Sequence, residues 1–250
     1  MSLPNGRIKI AILFFLKLLA LSFSSIAQQN LFNIPSGDIT PKGNFFYQHQ
    51  FNFYHNKLES KGHLVYGLGK GWDAGVNLVG KGVYFTPDWR ISYNSNPEQG
   101  SLYPILLGTL QKQWEINDRI KVNVGGQGGA NLSSKLSNKK FNYFTYSTLS
   151  YEIKKGSKLV AGPYYGGRML LGNGNDVGIL LGFEAKISKT LYLMGDWISG
   201  SNNDAAAVLG GMWCVSQRFQ ICAGVLCPNP GNPKPNGVVL ELNFLGWDYH

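Results

Sequence analysis

The feature that most constrains this chain is a rhythm. From residue 43 onward, runs of about ten residues alternate apolar and polar side chains, and the connections between runs alternate short and long. The short connections are Lys70, Ile116-Asn117-Asp118, Lys154-Lys155-Gly156-Ser157, Ser188-Lys189 and Ser216-Gln217. The long ones cover 55–59, 82–103, 131–140, 169–175, 199–204 and 228–236. A period of two sends successive side chains to opposite faces of a strand. The pattern predicts twelve strands: 43–54, 60–69, 71–81, 104–115, 119–130, 141–153, 158–168, 176–187, 190–198, 205–215, 218–227 and 237–247. Short turns at one end and long loops at the other are the asymmetry of a membrane-spanning antiparallel barrel. The expected fold class is all-β, an antiparallel up-and-down transmembrane β-barrel of about 12 strands.

The two faces of the strands are chemically distinct. In the eighth strand Val177, Ile179, Leu181, Phe183, Ala185 and Ile187 oppose Gly178, Gly182, Glu184 and Lys186. In the first, Phe45, Tyr47, Phe51 and Phe53 oppose Gln48, Gln50 and Asn52; in the fifth, Ile120, Val122 and Val124 oppose Lys121, Asn123 and Gln127. In the last, Val238, Leu240, Leu242 and Phe244 oppose Glu241 and Asn243. Periodicity alone does not say whether the apolar set faces a core or lipid. The strand length favours lipid, since strands in soluble sheets are usually five or six residues long. So do the small, polar opposite face, an export signal and the aromatics gathered at strand ends. Trp72, Trp114, Tyr151, Trp213, Phe219 and Trp247 lie toward the short turns, and Phe53, Tyr54, Tyr103, Phe141, Tyr143 and Trp197 toward the loops. These read as two interfacial girdles. A cation facing lipid at mid-membrane costs about 2–4 kcal/mol. In this register Asp73, Glu115, Lys121, Glu152, Arg168, Glu184, Lys186, Asp196 and Glu241 point inward. Lys112 points outward near a turn, where it can snorkel, and His49 points outward nearer the middle.

Residues 1–27 read as a signal peptide. Arg7 and Lys9 precede an apolar stretch, Ile10 to Phe23, broken by Lys17, and Ser25-Ile26-Ala27 offers small residues for cleavage after Ala27. Residues 28–42 are expected as a periplasmic N-terminal segment and 43–250 as the barrel. After residue 27 the chain keeps 20 basic and 14 acidic residues, a balance of +6. That charge suits anionic solutes or lipopolysaccharide phosphates; the basic residues are too scattered for nucleic acid. Cys214, Cys222 and Cys227 are an odd set. With Ser216-Gln217 as a two-residue turn, Cys214 faces Phe219 rather than Cys222, so the three are expected as small packed residues.

Motifs for chemistry are weak. The stretch 75–82 superficially resembles a phosphate-binding loop, but Gly82 stands where Ser or Thr should hold a metal and no helix is expected to follow. The stretch 125–129 lacks dinucleotide-binding spacing. A Ser60–His63 pair at the outer rim would give an activated serine only if the hairpin register allowed it. A metal site from His55 and His63 lacks further ligands. No catalytic residue, cofactor or metal site is expected, and the protein is not expected to be an enzyme.

The segments 43–52 (GNFFYQHQFN) and 193–200 (LMGDWISG) and the last strand ending Glu241-Leu242-Asn243-Phe244 resemble the small exported β-barrels described as porin-like or outer-membrane transport proteins. That class usually ends on a terminal aromatic, whereas this chain ends Trp247-Asp248-Tyr249-His250. The resemblance implies a cell outer-membrane location, with membrane lipid, lipopolysaccharide, the barrel-assembly machinery and small solutes as partners. The functional candidates are lumen ionisables: Arg168, Asp196, Glu241, Lys121 and Glu184, together with Arg90 in loop 82–103, which also carries Asp88 and Glu98 and is long enough to fold inward as a constriction. The expectation is a narrow passive channel for small solutes, anions among them. The alternatives are a non-conducting barrel with a structural or surface-binding role and, third, a lipid-modifying barrel enzyme.

Overall fold

The computed structural model describes residues 29–85, 89, 91–92, 104–132 and 141–249. The strands are β1 (Phe45–Phe53), β2 (Lys57–Gly69), β3 (Trp72–Tyr84), β4 (Ile91–Ser92), β5 (Ile105–Asn117), β6 (Ile120–Asn131), β7 (Phe141–Lys154) and β8 (Ser157–Gly166). A one-turn helix, α1 (Arg168–Leu171), follows, then β9 (Val177–Lys186), β10 (Leu191–Ile198), β11 (Ala206–Cys214), β12 (Phe219–Pro228) and β13 (Gly237–Leu245). Twelve strands span; β4 is a two-residue addition at the loop end of β3. Each spanning strand pairs antiparallel with its neighbours, β3 passing directly to β5, and β1 pairs with β13 to close the ring. Closure leaves no open edge, the condition for a sheet to stand in lipid.

The alternation in the sequence becomes an inside-out barrel. Phe45, Leu64, Val177, Ile179, Leu209 and Val238 are exposed on the outer wall, while Gln48, Gln50, Asn52, Asn123, Glu184, Glu241 and Asn243 are buried inside. The turn joining β2 to β3 shows how the short connections are made. Lys70 and Gly71 both take positive φ, 53° and 76°, the paired left-handed geometry whose twist matches that of the flanking strands.

The girdles hold with two corrections. Trp72, Trp114, Tyr151 and Trp213 are exposed at the turn end and Phe53, Phe141 and Trp197 at the loop end. Trp247 and Tyr54, expected outside, are buried; Trp247 follows the end of β13 and packs against the inward Phe46, ring centroids 6.4 Å apart. Tyr103 lies outside the described residues. The outward Lys112 ammonium stands 5.5 Å from the ring centres of both Trp72 and Trp114 and donates to the Lys70 carbonyl, a snorkelling geometry at the turn-end interface.

All three cysteines are free. Cys214 pairs in register with Gln220 and Cys222 with Met212. The β11–β12 turn is therefore longer than the two residues expected, and Cys214 does not face Phe219.

Candidate functional site

The lumen is not empty. Residues 29–41, expected on the periplasmic side, lie inside the barrel. The segment enters at the short-turn end, where the Gly43 amide donates to the Gly67 carbonyl and Lys42 bridges Gly67. It then rises and folds back on itself, with Asn30 bridging Pro35 and the Leu31 amide donating to the Ile34 carbonyl at 2.9 Å. Side chains from β1, β3, β5, β6, β8 and β10 all bond to this one segment. Only a position inside the ring lets one short stretch touch so many walls.

Two kinds of contact hold it. At the tip, Leu31, Phe32 and Ile34 are fully buried, worth on the order of 5 kcal/mol together. Glycine makes room for them: a Cβ at Gly182 would stand 2.3 Å from Leu31 and 2.8 Å from Ile34. At the entry, a Cβ at Gly67 would stand 2.1 Å from the Pro41 carbonyl oxygen. The tip backbone forms a nest for an anion. The amides of Phe32, Asn33 and Ile34 donate to one Asp196 oxygen, Oδ2, at 3.0, 2.5 and 3.2 Å. Lower down, Asp38 pairs with Lys158 and, at 3.3 Å, with Lys121. Burial pushes the Asp38 carboxyl up, but the two ammoniums outweigh it and hold it below its ordinary value. The Gln111 and Gln113 amides donate to the Asp38 and Gly37 carbonyls at 2.9 and 2.5 Å, and Asp73 accepts from Gln29 and from the Thr40 amide.

Beside and above the tip, on the β1–β7 side, is a chamber of about 220 Å³. Its walls are mixed: Gln48, Gln50, Asn52, Lys61, His63, Asn77 and Gln127 supply polar groups, Val65, Val79, Leu107, Leu110 and Phe144 supply apolar ones, and Asn30, Phe32 and Asn33 of the inserted segment also line it. It reaches the loop end, where Tyr54, Asp204, Asn232 and Lys234 line it. Glu59 is gripped there by Lys57 at 2.7 Å and Lys234 at 3.8 Å. Burial pushes the Tyr54 hydroxyl up to about 12, so it stays neutral and available to donate.

The residues singled out from the sequence divide. Asp196, Glu241, Lys121 and Glu184 do face inward, and Asp196, Glu241 and Glu184 are buried. They form no ring. Asp196 caps the inserted tip; Lys121 and Glu184 lie near Asp38 around a small cavity of about 30 Å³ at the turn end. Arg168 is not a lumen residue: β8 ends at Gly166, and Arg168 sits in α1 with its side chain 73% exposed, 3.5 Å from Asp176. Arg90, Asp88 and Glu98 lie outside the described residues, as do residues 1–27. His63 and Ser60 do not meet. Neighbouring parity puts His63 inward against Asn77 and Ser60 outward against His49. The stretches 75–82 and 125–129 are plain β3 and β6. Among the described residues no cluster of His, Cys, Asp and Glu could hold a metal.

What sequence reasoning missed is the insertion itself. The signal was there in Leu31-Phe32-Asn33-Ile34, an apolar cluster too short to span and too greasy to stay in water.

The fold and the lumen together define a plugged barrel of the outer-membrane type. No protein-family model and no curated protein matches the chain in sequence. Among solved structures, the NanC porin is similar over 82% of this chain and 99% of its own, with a TM-score of 0.52 and 9% identity. Lower-scoring matches include outer membrane phospholipase A from Escherichia coli (12% identity, 84% and 94% covered, TM-score 0.43) and the toluene transporter TbuX of Ralstonia pickettii (8% identity, 92% and 98% covered, TM-score 0.44). At these identities the likeness is one of fold.

Proposed function

We propose that the protein is an outer-membrane channel for small polar solutes, closed at rest by residues 29–41. Lipopolysaccharide and membrane lipid surround it, and the barrel-assembly machinery inserts it. The observation that carries this reading is the chamber itself: a space of about 220 Å³, lined by both hydrogen-bonding and apolar side chains, between residues of the loop end and a segment of the chain's own N-terminus. A barrel of about eight strands fills its lumen with side chains, and wider ones leave space. Here one side of the lumen is packed with apolar residues around the tip, and the other is left as room for a solute.

The charges lining the chamber are of both signs and slightly acidic in sum: Glu59, Asp73 and Asp204 stand against Lys61 and Lys234. That lining favours a neutral or zwitterionic solute that forms several hydrogen bonds over the anion suggested by the net charge. Passage requires the segment to leave Asp196, Asp73, Lys121 and Lys158, so the resting conductance is low.

The test is planar-bilayer conductance of the mature chain beside Asp38→Lys, with heat-modifiable mobility confirming that both barrels fold. Asp38→Lys faces Lys158 and Lys121 with a like charge and is expected to give frequent, larger openings. A folded variant that stays as silent as the parent overturns the channel reading in favour of a closed barrel acting through its loops.

A further inference from the structure

Tyr47, His49 and Ser60 form a hydrogen-bonded chain on the outer wall of the barrel. The Ser60 hydroxyl lies 2.8 Å from His49 Nε2, and the Tyr47 hydroxyl lies 2.7 Å from His49 Nδ1. All three are half-buried. Their surroundings are greasy: the Phe51 ring centre is 4.5 Å from that of His49, and Leu64 and Phe244 are exposed nearby on the same wall. A polar group facing hydrocarbon without a partner costs several kcal/mol. Mutual bonding makes this trio tolerable there, whereas apolar side chains at the same positions would meet lipid at no such cost.

The order of the groups is that of an activated nucleophile: a hydroxyl on a base, and the base oriented by a third group. With Nδ1–H donating to the Tyr47 oxygen, Nε2 presents its lone pair to the Ser60 O–H. The backbone is irregular at this point alone in the middle of the β2–β3 hairpin. The pairing shifts between Ser60 and Gly62, leaving Lys61, Val79 and Gly80 out of that ladder, and Gly80 takes φ of 75°. Bulges concentrate beside active sites, where they re-aim a side chain and free backbone groups. Gly62 leaves a notch next to the base: a Cβ there would lie 3.8 Å from the Tyr47 hydroxyl and 3.9 Å from His49 Nδ1. Ser60 follows the loop-end start of β2 at Lys57 by three residues, roughly 10 Å along the strand. The long-loop end is the external one, and Ser60 pairs with Phe51, one outward position below the exposed girdle residue Phe53, so Ser60 stands roughly 7 Å along the strand below the external interface where lipid ester groups lie.

From this geometry we infer that Ser60 is the nucleophile and His49 the general base of a second, lipid-facing site that hydrolyses ester-linked acyl chains of outer-leaflet lipids, independent of the lumen. Ser60 Oγ attacks the ester carbonyl carbon while its proton passes to His49 Nε2. The ester C–O bond breaks, and the leaving alcohol takes that proton. Water then cleaves the acyl–Ser60 bond, releasing the carboxylic acid and restoring the hydroxyl.

The test uses the refolded mature protein in detergent. A fluorophosphonate probe is added and the adduct mapped by mass spectrometry; fatty-acid release is measured from phosphatidylethanolamine vesicles and, separately, from lipopolysaccharide. The expected results are an adduct on Ser60, its loss in His49→Ala, and release at least 100-fold slower in Ser60→Ala and His49→Ala. Tyr47→Phe keeps the adduct and shifts the pH profile of release. Release from the vesicles alone identifies a glycerophospholipid substrate, and release from lipopolysaccharide alone identifies the acyl esters of lipid A. A parent protein with the mobility of a folded barrel that gives no adduct on Ser60 overturns the inference. So does release that survives Ser60→Ala.

Discussion

Asp38 and Lys158 are ion-paired inside the barrel, 120 positions apart in the chain, with side chains 8% and 10% exposed. Removing one member of a buried pair leaves the other charged and unpaired, at about 3–5 kcal/mol. Lys158→Met is therefore expected to loosen the inserted segment while the barrel stays closed around it. Limited proteolysis of the intact protein measures this: cleavage between residues 29 and 44 should quicken at least tenfold, with the strands still protected. Equal resistance to cleavage would assign the anchoring to the apolar tip instead.

The tip needs the glycine beneath it. Gly182→Leu fills the space held by Leu31 and Ile34. The side chains of the tip are then displaced, and overpacking of this kind costs about 1–3 kcal/mol. Higher open probability in planar bilayers is the expected outcome. A folded Gly182→Leu barrel with unchanged conductance would mean that the tip does not gate.

Acid should release the segment only at low pH. Asp38 is held below its ordinary value because Lys158 and Lys121 outweigh the effect of burial. A group whose pKa is depressed on folding contributes its full stabilisation above its unfolded value, about 3.9 for Asp, and loses it as pH falls through the folded value. Conductance is therefore expected to stay low from about pH 8 to about pH 5 and to rise only below about pH 4. A rise near neutral pH would assign the lock to another group.

The chamber charges can be read electrically. Lys61 lines the chamber, and Lys61→Glu in an Asp38→Lys background should shift the reversal potential toward cation selectivity under a salt gradient. An unshifted reversal would place the conducting path away from the chamber.

Cysteine accessibility checks the register. Cys227 is exposed, while Cys214 and Cys222 are buried on the inner face. A maleimide reagent should modify Cys227 alone in the folded protein and all three after denaturation. A mild oxidant should leave the Cys214–Cys222 pair unlinked.

Much of the barrel was legible before folding. The twelve expected strands match the observed ones to within a few residues, except that 158–168 ends at Gly166 and releases Arg168 to a surface helix. Period-two alternation is a local signal: Val177 and Glu184 report their faces through their immediate neighbours. The lumen residues Asp196, Lys121 and Glu184 were visible as inward charges for the same reason. Their partners were not, because Asp196 caps an amide nest 162 to 164 positions away and no local pattern records such a distance. Ser60 and His63 could pair only if the hairpin register allowed it, and parity places them on opposite faces. His49, an outward polar residue near the middle of β1, is the one that reaches Ser60.

The sequence by itself determined the strands, their count and which residues of each strand share a face, because these follow from the chemistry of adjacent residues; strand length and the aromatics at strand ends turned the apolar face toward lipid. Only the tertiary structure decided that residues 29–41 fill the lumen, that Asp38 closes on Lys158, and that Tyr47, His49 and Ser60 meet on the outer wall. Those depend on ring closure and strand register, which bring together groups that the chain holds far apart or that neighbouring strands present side by side only in one pairing.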